Sequence, residues 1–321
     1  MKVLIRDRYG SADVLRVDEA PEPSIGDDDV LVRVRAASVN GADAENLRGT
    51  PMVRIAGPFR PSVKVLGSDI AGIVESVGAK VTRFKPGEAV FGDLFDSGFG
   101  AFAEYARSPE KALMPKPADL SFEDAATLPQ AALLALQGLR DGDPVEAGQK
   151  VLLNGAGGGA GSFAIQIAKA FGAHVTAVDS AMKLDMMRSI GADAVIDYAE
   201  QDFTRSELVY DRILDFQSHR SPSDYRRVLV PDGTCLLVGG STRRILQAHA
   251  VGVRLSMSSG QRLGLLMWRT NDEEELGYLV DLVLAGTVTP VIDRVYSLSE
   301  AAEGLRRTDA GEVLGKVVIT M

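Results

Sequence analysis

VLLNGAGGGAGSFAIQIAKAFGAHVTAVD, residues 151–179, decides how the chain is read. The apolar run VLLN predicts a buried strand, five glycines fall within residues 155–161, and SFAIQIAKAF predicts a helix with Ile165, Ala168 and Phe171 on one face. A tight turn therefore delivers a helix N-terminus to a strand end. Unpaired backbone N–H groups and the positive end of the helix dipole meet there and favour an anion. Missing side chains at Gly158 and Gly159 let a pyrophosphate approach the backbone, and Gly161, after Ala160, lets helix and strand pack closely. The register is A-x-G-x-x-G from Ala156 to Gly161, with alanine at the first glycine position. Glycines alone more often mark an ordinary turn. The strand before, the helix after and an acid 21 residues beyond Gly158 make the pattern specific to a dinucleotide.

That acid, Asp179, ends the second strand, where a carboxylate accepts hydrogen bonds from an adenosine ribose and favours NAD(H). Ser180 follows at an N-cap position and Lys183 lies in the first turn, and both suit a 2′-phosphate. Plain structural roles, a cap for Ser180 and a solvated charge for Lys183, compete with that reading. On the residues themselves the choice between NAD(H) and NADP(H) stays open.

Outward from the turn, VLLN, HVTAV, DAVID, RILDF and TCLLVGG alternate with amphipathic helices, which predicts βαβ units and a parallel sheet covered on both faces. Gly239-Gly240, after the last of these, reads either as a close approach to a ligand or as a strand-ending turn. Before residue 120 the pattern is short β runs broken by Pro and Gly: VLVRV at 30–34, AGIVESVG at 71–78 and AFAEYA at 101–106. Helical character begins near Ser121 in SFEDAATLPQAALLALQGL. The tail returns to β character in VIDRVYSL and GKVVITM, either side of the short helix EAAEGLRR, and these strands are expected to rejoin the N-terminal domain. The expected boundaries are a β domain over 1–120, a nucleotide domain over 121–285 and the return over 286–321.

A net charge of −9 from 35 basic and 44 acidic residues disfavours nucleic acid and anionic membrane surfaces, a local patch such as Arg243-Arg244 aside. The single cysteine, Cys235, precludes an internal disulfide and reads as a core residue of a cytoplasmic protein. No charged-then-apolar leader and no apolar run of about 18–20 residues is present, so no membrane insertion is expected. Met257, Leu265, Leu266, Met267 and Trp268 read as a core or subunit contact, consistent with a homodimer, in preference to a substrate pocket.

The chain resembles, end to end, the zinc-independent quinone oxidoreductases of the medium-chain dehydrogenase/reductase superfamily. The likeness rests on SVNGADAENLRG (38–49), VLGSDIAGIVESVG (65–78), FKPGEAVFG (84–92), LPQAALLALQGL (128–139), NGAGGGAGSFAIQIAK (154–169), IGADAVIDY (190–198) and GKVVI (315–319). It implies an α/β protein with a GroES-like, partly open β-barrel domain made by both chain ends and a Rossmann doubly wound parallel sheet between. In zinc alcohol dehydrogenases of the superfamily the matching segments supply a cysteine and a Gly-His-Glu; here those positions hold Asn40, Ser68 and Asp69. One Cys and three His, His174, His219 and His249, supply no ligand set for a catalytic zinc, so no zinc is expected. The resemblance places Asn40 beside nicotinamide or substrate, with Asp43 nearby as a structural partner of the cleft; the plainer reading of Asn40 is a turn residue bonded to local backbone. It also maps a 2′-phosphate onto Lys183 and Tyr198, which tips the cofactor towards NADP(H). The chain departs from the family pattern at Leu134, at Asp179, and at Phe216-Gln217-Ser218, where a Gly-Gly is usual near the cofactor.

The implied chemistry is hydride delivery from a reduced nicotinamide to a small quinone or the β-carbon of an enone, with Asn40, a backbone N–H or water donating to the developing oxyanion. Two other readings remain: a nucleotide-binding sensor or interaction protein with little turnover, and an alcohol or aldehyde dehydrogenase using an unorthodox metal.

Overall fold

In the computed structural model, residues 1–240, 243, 247 and 260–321 are described. The chain opens with β1 (Lys2–Ile5) and β2 (Arg16–Glu19), an antiparallel pair. β3 (Asp29–Val39), β4 (Asp69–Val77), β5 (Ala89–Asp93), β6 (Tyr105–Pro109) and β7 (Leu113–Pro115) follow. β8 (Lys150–Asn154), β9 (His174–Asp179), β10 (Ala194–Asp197), β11 (Tyr210–Asp215), β12 (Leu229–Leu237) and β13 (Arg262–Leu265) make a second sheet. β14 (Ile292–Ser297) and β15 (Lys316–Thr320) close the chain.

The first compact unit holds residues 1–130, 269–284 and 292–321. Its sheet runs β14-β15-β3-β4-β5-β7, with β6 also on β3. The terminal strands do return: β15 pairs antiparallel with β3 through Val317 and Val39. Strand β3 serves β4, β6 and β15, and its register against β4 shifts between Leu31 and Val32 and between Val34 and Ala36. Such irregularities bend a strand, which lets one long β3 curve through a barrel wall. Val30, Val32, Val34, Ile70, Phe102 and Ile319 fill the interior.

The second unit holds residues 131–268 and 285–291. Its order, β10-β9-β8-β11-β12-β13, is wholly parallel. This is the doubly wound arrangement, with the reversal of winding between β8 and β11. Leu152, Val178, Ile213, Cys235 and Leu263 are buried together, as expected of strands covered on both faces. Residues 121–130 and 269–284, which the sequence pattern groups with the nucleotide domain, cluster with the first unit. Ser121 caps the helix Phe122–Thr127 by accepting from the Asp124 N–H, and a wider π turn, Leu128–Ala132, leads into the helix Leu133–Arg140.

No helix among the described residues is long and apolar enough to cross a membrane. Leu265 packs on the core of the second unit while Met267 is 79% exposed; Arg244, His249 and Met257 lie outside the described residues.

At Gly161 the helix start lies directly against the glycine turn: a Cβ there would lie 2.5 Å from Ala156 Cα. Gly161→Ala is expected to lower the unfolding free energy by about 1–3 kcal/mol, measured by denaturant titration; an unchanged value would mean that the turn relaxes freely.

Candidate active site

The glycine turn is built as its sequence demands. Gly155 has φ +79°, a left-handed conformation that costs glycine little. The N–H groups of Gly155 and Ala156 both bond Val178 O, at 2.9 and 3.1 Å. Gly158 is the N-cap of the helix Gly159–Ala170, and a Cβ there would meet nothing closer than Gly155 O at 3.5 Å. The space over the helix start is therefore open, as a pyrophosphate needs. Gly157 has a separate reason to be glycine: a Cβ there would lie 2.5 Å from Lys183 Cδ and 3.1 Å from Asp179 Oδ2.

Asp179 is turned into this turn. Its Oδ2 accepts from Gly157 N at 2.9 Å and its Oδ1 from Ser180 N at 2.8 Å, and Lys183 Nζ stands 3.5 Å from Oδ1. Both side chains are buried, so Lys183 is not the solvated charge of its plainer reading. Ser180 holds the N-cap position of Ala181–Lys183 without a side-chain cap bond; its hydroxyl lies 3.5 Å from Asp179 Oδ1. Tyr198 is brought alongside because its N–H bonds Asp179 O at 3.2 Å, and its side chain is 56% exposed.

At the switch point, Asn154 Nδ2 donates to Asp215 Oδ1 at 2.7 Å, and Tyr225 Oη donates to Asp215 Oδ2. Burial pushes the Asp215 carboxyl up, opposed by these donors. Half-buried Phe216 follows, tied by its N–H to Asn154 O at 2.9 Å. Gly239 and Gly240 pack against this segment: a Cβ on Gly239 would lie 2.8 Å from Phe216 O, and one on Gly240, φ +118°, would strike Ser218 N. The protein's own backbone is thus sufficient reason for both glycines.

In the first unit, Asn40 and Asp43 belong to a buried polar cluster. Asp43, fully buried, accepts from Asn40 N at 2.9 Å and from Gly67 N at 2.8 Å, so it ties the start of the helix Gly41–Arg48 to the turn before β4. Asn40 is the N-cap of that helix and forms a capping box with Asp43, its side chain facing the Asp43 N–H, but its amide also reaches partners remote in sequence. Its Oδ1 accepts from Lys316 Nζ at 2.5 Å, and its Nδ2 donates to Asp69 Oδ2 at 2.9 Å and, at 3.4 Å, to Ser68 Oγ. Lys316 is 2% exposed, also donates to Val39 O at 3.1 Å, and stands 3.6 Å from Asp69 Oδ2. Asp69 takes a further bond from Ser38 Oγ at 2.8 Å, while its Oδ1 is buried without a partner. Asp93 adds a third buried carboxyl, with Phe95 N at 2.8 Å from its Oδ1 and Gln130 Nε2 at 3.5 Å from its Oδ2. Burial pushes Asp69 and Asp93 up and Lys316 down, and the attraction between Lys316 and Asp69 opposes the shift of both. Lys316, Ser38 and Gln130 stand within the segments that carry the resemblance, but nothing local singles them or Asp93 out: a lysine opening an apolar strand reads as solvated, and its partners are remote in sequence.

Chain comparisons agree with this architecture. Residues 26–118 match the alcohol dehydrogenase GroES-like domain and residues 190–319 the zinc-binding dehydrogenase domain. The chain is 31% identical to the chloroplastic quinone-oxidoreductase QR1 of Triphysaria versicolor, over 99% of this chain and 98% of that protein. It is 32% identical to the 2-methylene-furan-3-one reductase of Solanum lycopersicum, over 99% of this chain and 79% of the relative. The quinone oxidoreductase from Coxiella burnetii superposes with a TM-score of 0.89 at 30% identity, covering 100% of this chain and 99% of the other. The chain belongs to the quinone oxidoreductase family of the medium-chain dehydrogenase/reductase superfamily.

The zinc in the name of the second domain does not fit the residues here. Zinc is held by thiolate, imidazole or carboxylate; Asn40, Ser68 and Asp69 offer an amide, a hydroxyl and one carboxylate already facing an ammonium. Among the described residues no group of three or more His, Cys, Asp or Glu is disposed to hold a metal ion.

Burial pushes the Asp43 carboxyl up to about 7, against the two backbone N–H groups that favour its charged form. The folded protein then holds a proton that the unfolded chain has released between about pH 4 and pH 7, so stability from this group is present in acid and lost as pH rises through 7. Asp43→Asn is expected to flatten the fall in unfolding free energy across that window. An unaltered slope in denaturant titrations at several pH values would place the effect elsewhere.

Proposed function

We propose that the protein transfers hydride from NADPH to a small quinone or α,β-unsaturated carbonyl, without a metal. The observation that carries this reading is the glycine turn, open above Gly158, in a chain aligned along almost its whole length with a quinone oxidoreductase. The other relative in the comparison is by name the reductase of an enone-type compound, the second class of acceptor in this proposal.

Backbone N–H groups at Gly159, Ala160 and Gly161 would hold the pyrophosphate at the positive end of the helix Gly159–Ala170, with Ala156 beneath it and Gly158, whose own N–H bonds Gly155 O, leaving room for its approach. Asp179 would meet the adenosine ribose. Ser180, Lys183 and Tyr198 would surround a 2′-phosphate. Because two backbone N–H groups and the Lys183 ammonium already compensate the Asp179 charge, its repulsion of a phosphate is reduced, which favours NADP(H) over NAD(H). Phe216, Gly239 and Gly240, at the carboxyl ends of β11 and β12, would flank the nicotinamide. Bound there, the reduced nicotinamide supplies hydride from C4.

The charge that develops on the acceptor oxygen needs a donor. One Asn40 amide hydrogen is committed to Asp69; the other makes only the long contact with Ser68 and is free to turn to that oxygen. Asp43 holds the Asn40 backbone in place. The proton that completes the reduction comes from solvent. Met267, exposed just beyond β13, supports a homodimer, and the buried Cys235 thiol suits the cytoplasm.

The test is nicotinamide absorbance with NADPH or NADH against a panel of quinones and enones. NADPH oxidation that depends on the acceptor and survives chelation of metals is expected; tight nucleotide binding without turnover would make the protein a sensor. Lys183→Ala is expected to weaken NADPH by roughly tenfold or more, about the strength of one charge-assisted bond, and NADH far less. Equal losses for both nucleotides would remove Lys183 from the 2′-phosphate.

A further inference from the structure

Lys316 is a buried cation with no part in the chemistry outlined above. Its ammonium donates to two acceptors, Asn40 Oδ1 at 2.5 Å and Val39 O at 3.1 Å, and forms an ion pair with Asp69 Oδ2 at 3.6 Å. An ammonium has only donors and an ionised carboxylate only acceptors. Together they leave the Asn40 amide one orientation, with its oxygen on Lys316 and its NH2 on Asp69 and Ser68. Reversing the amide would set NH2 against an ammonium and oxygen against a carboxylate.

We propose that Lys316 is a positioning residue for the reaction, locking the Asn40 side chain so that its NH2, and not its carbonyl oxygen, is the edge presented to the acceptor. This rests on the reading of Asn40 as the donor to the acceptor oxygen. An amide free to rotate would offer an oxygen lone pair to a developing oxyanion for part of the time, and repulsion there works against reduction. Asp69 completes the lock from the other side, and the long Asn40–Ser68 contact leaves one hydrogen able to change partner. Lys316 acts through Asn40 and touches neither nucleotide nor acceptor.

Removing Lys316 alone leaves Asp69 buried without its cation, so the informative variant is Lys316→Met/Asp69→Asn, which removes both charges together. Nucleotide dissociation constants, KM for the acceptor, kcat and thermal melting are measured on the full-length protein, beside Asn40→Ala and the triple variant. With the lock gone, kcat is expected to fall roughly 10²-fold, the loss typical of one oxyanion donor, while NADPH affinity stays within about twofold of wild type. Because the loss runs through Asn40, adding Asn40→Ala to the pair should cost little more. Wild-type kcat in the charge-free pair, or losses that multiply in the triple variant, would overturn the proposal. If the pair does not fold, Lys316→Arg serves: a longer, planar cation that misplaces Asn40 should lower kcat at unchanged NADPH affinity, and full activity would overturn the assignment. Wild-type protein that binds NADPH but reduces none of the quinones or enones would instead mark failure of the functional reading itself.

Discussion

Burying an ammonium is costly unless its charge is paired and its hydrogens are bonded, and the first unit is arranged around meeting that requirement for Lys316. Its partners come from the last residue of β3, from Asn40 just after it and from the first residue of β4, far from position 316 in sequence. Only with β15 laid antiparallel on β3, Val317 opposite Val39, does the lysine reach them. Closure of the barrel by the C-terminal strand and construction of the polar cluster are thus one event. A register slip of one residue would point Lys316 out of the cluster and a valine into it.

The nucleotide unit solves a parallel problem with backbone instead of charge. The absent side chain at Gly161 lets helix meet strand, and the one absent at Gly157 makes room for Lys183. Asp179 then spends one oxygen on the turn, at the Gly157 N–H, and the other on the Ser180 N–H. A carboxylate in this position is usually weighed by its charge alone. Here its partners matter as much, because a charge already compensated by donors repels a second anion less than a bare one.

Much of the architecture was legible in the residues. The βαβ alternation after residue 150, the glycine turn and the β character of both chain ends each depend on local periodicity, and the strands and helix appear where those patterns lie. Asn40 and Asp43 were singled out by the family resemblance; that Asp43 accepts from the Asn40 N–H at one helix start is shown by the structure. The helix Glu273–Leu284 was less so: its apolar face shows that it packs, but not on which core, and it clusters with the first unit. Asn271, just before that helix, donates to Asp93 O and accepts from Asp93 N across a sequence separation of 178 residues.

The sequence by itself determined the element types, the parallel nucleotide sheet and the glycine turn at a helix start, because these follow from spacing within a few tens of residues; the family followed from the resemblance of its motifs. Tertiary structure alone decided that Lys316 and Asp93 join Asn40, Asp43 and Asp69, that Lys183 is paired instead of solvated, and that Gly239 and Gly240 answer to Phe216 and Ser218. Those outcomes depend on which buried group finds a partner once distant strands align. Hydrogen-bonding capacity can be read from a residue's identity, but the partner that satisfies it cannot.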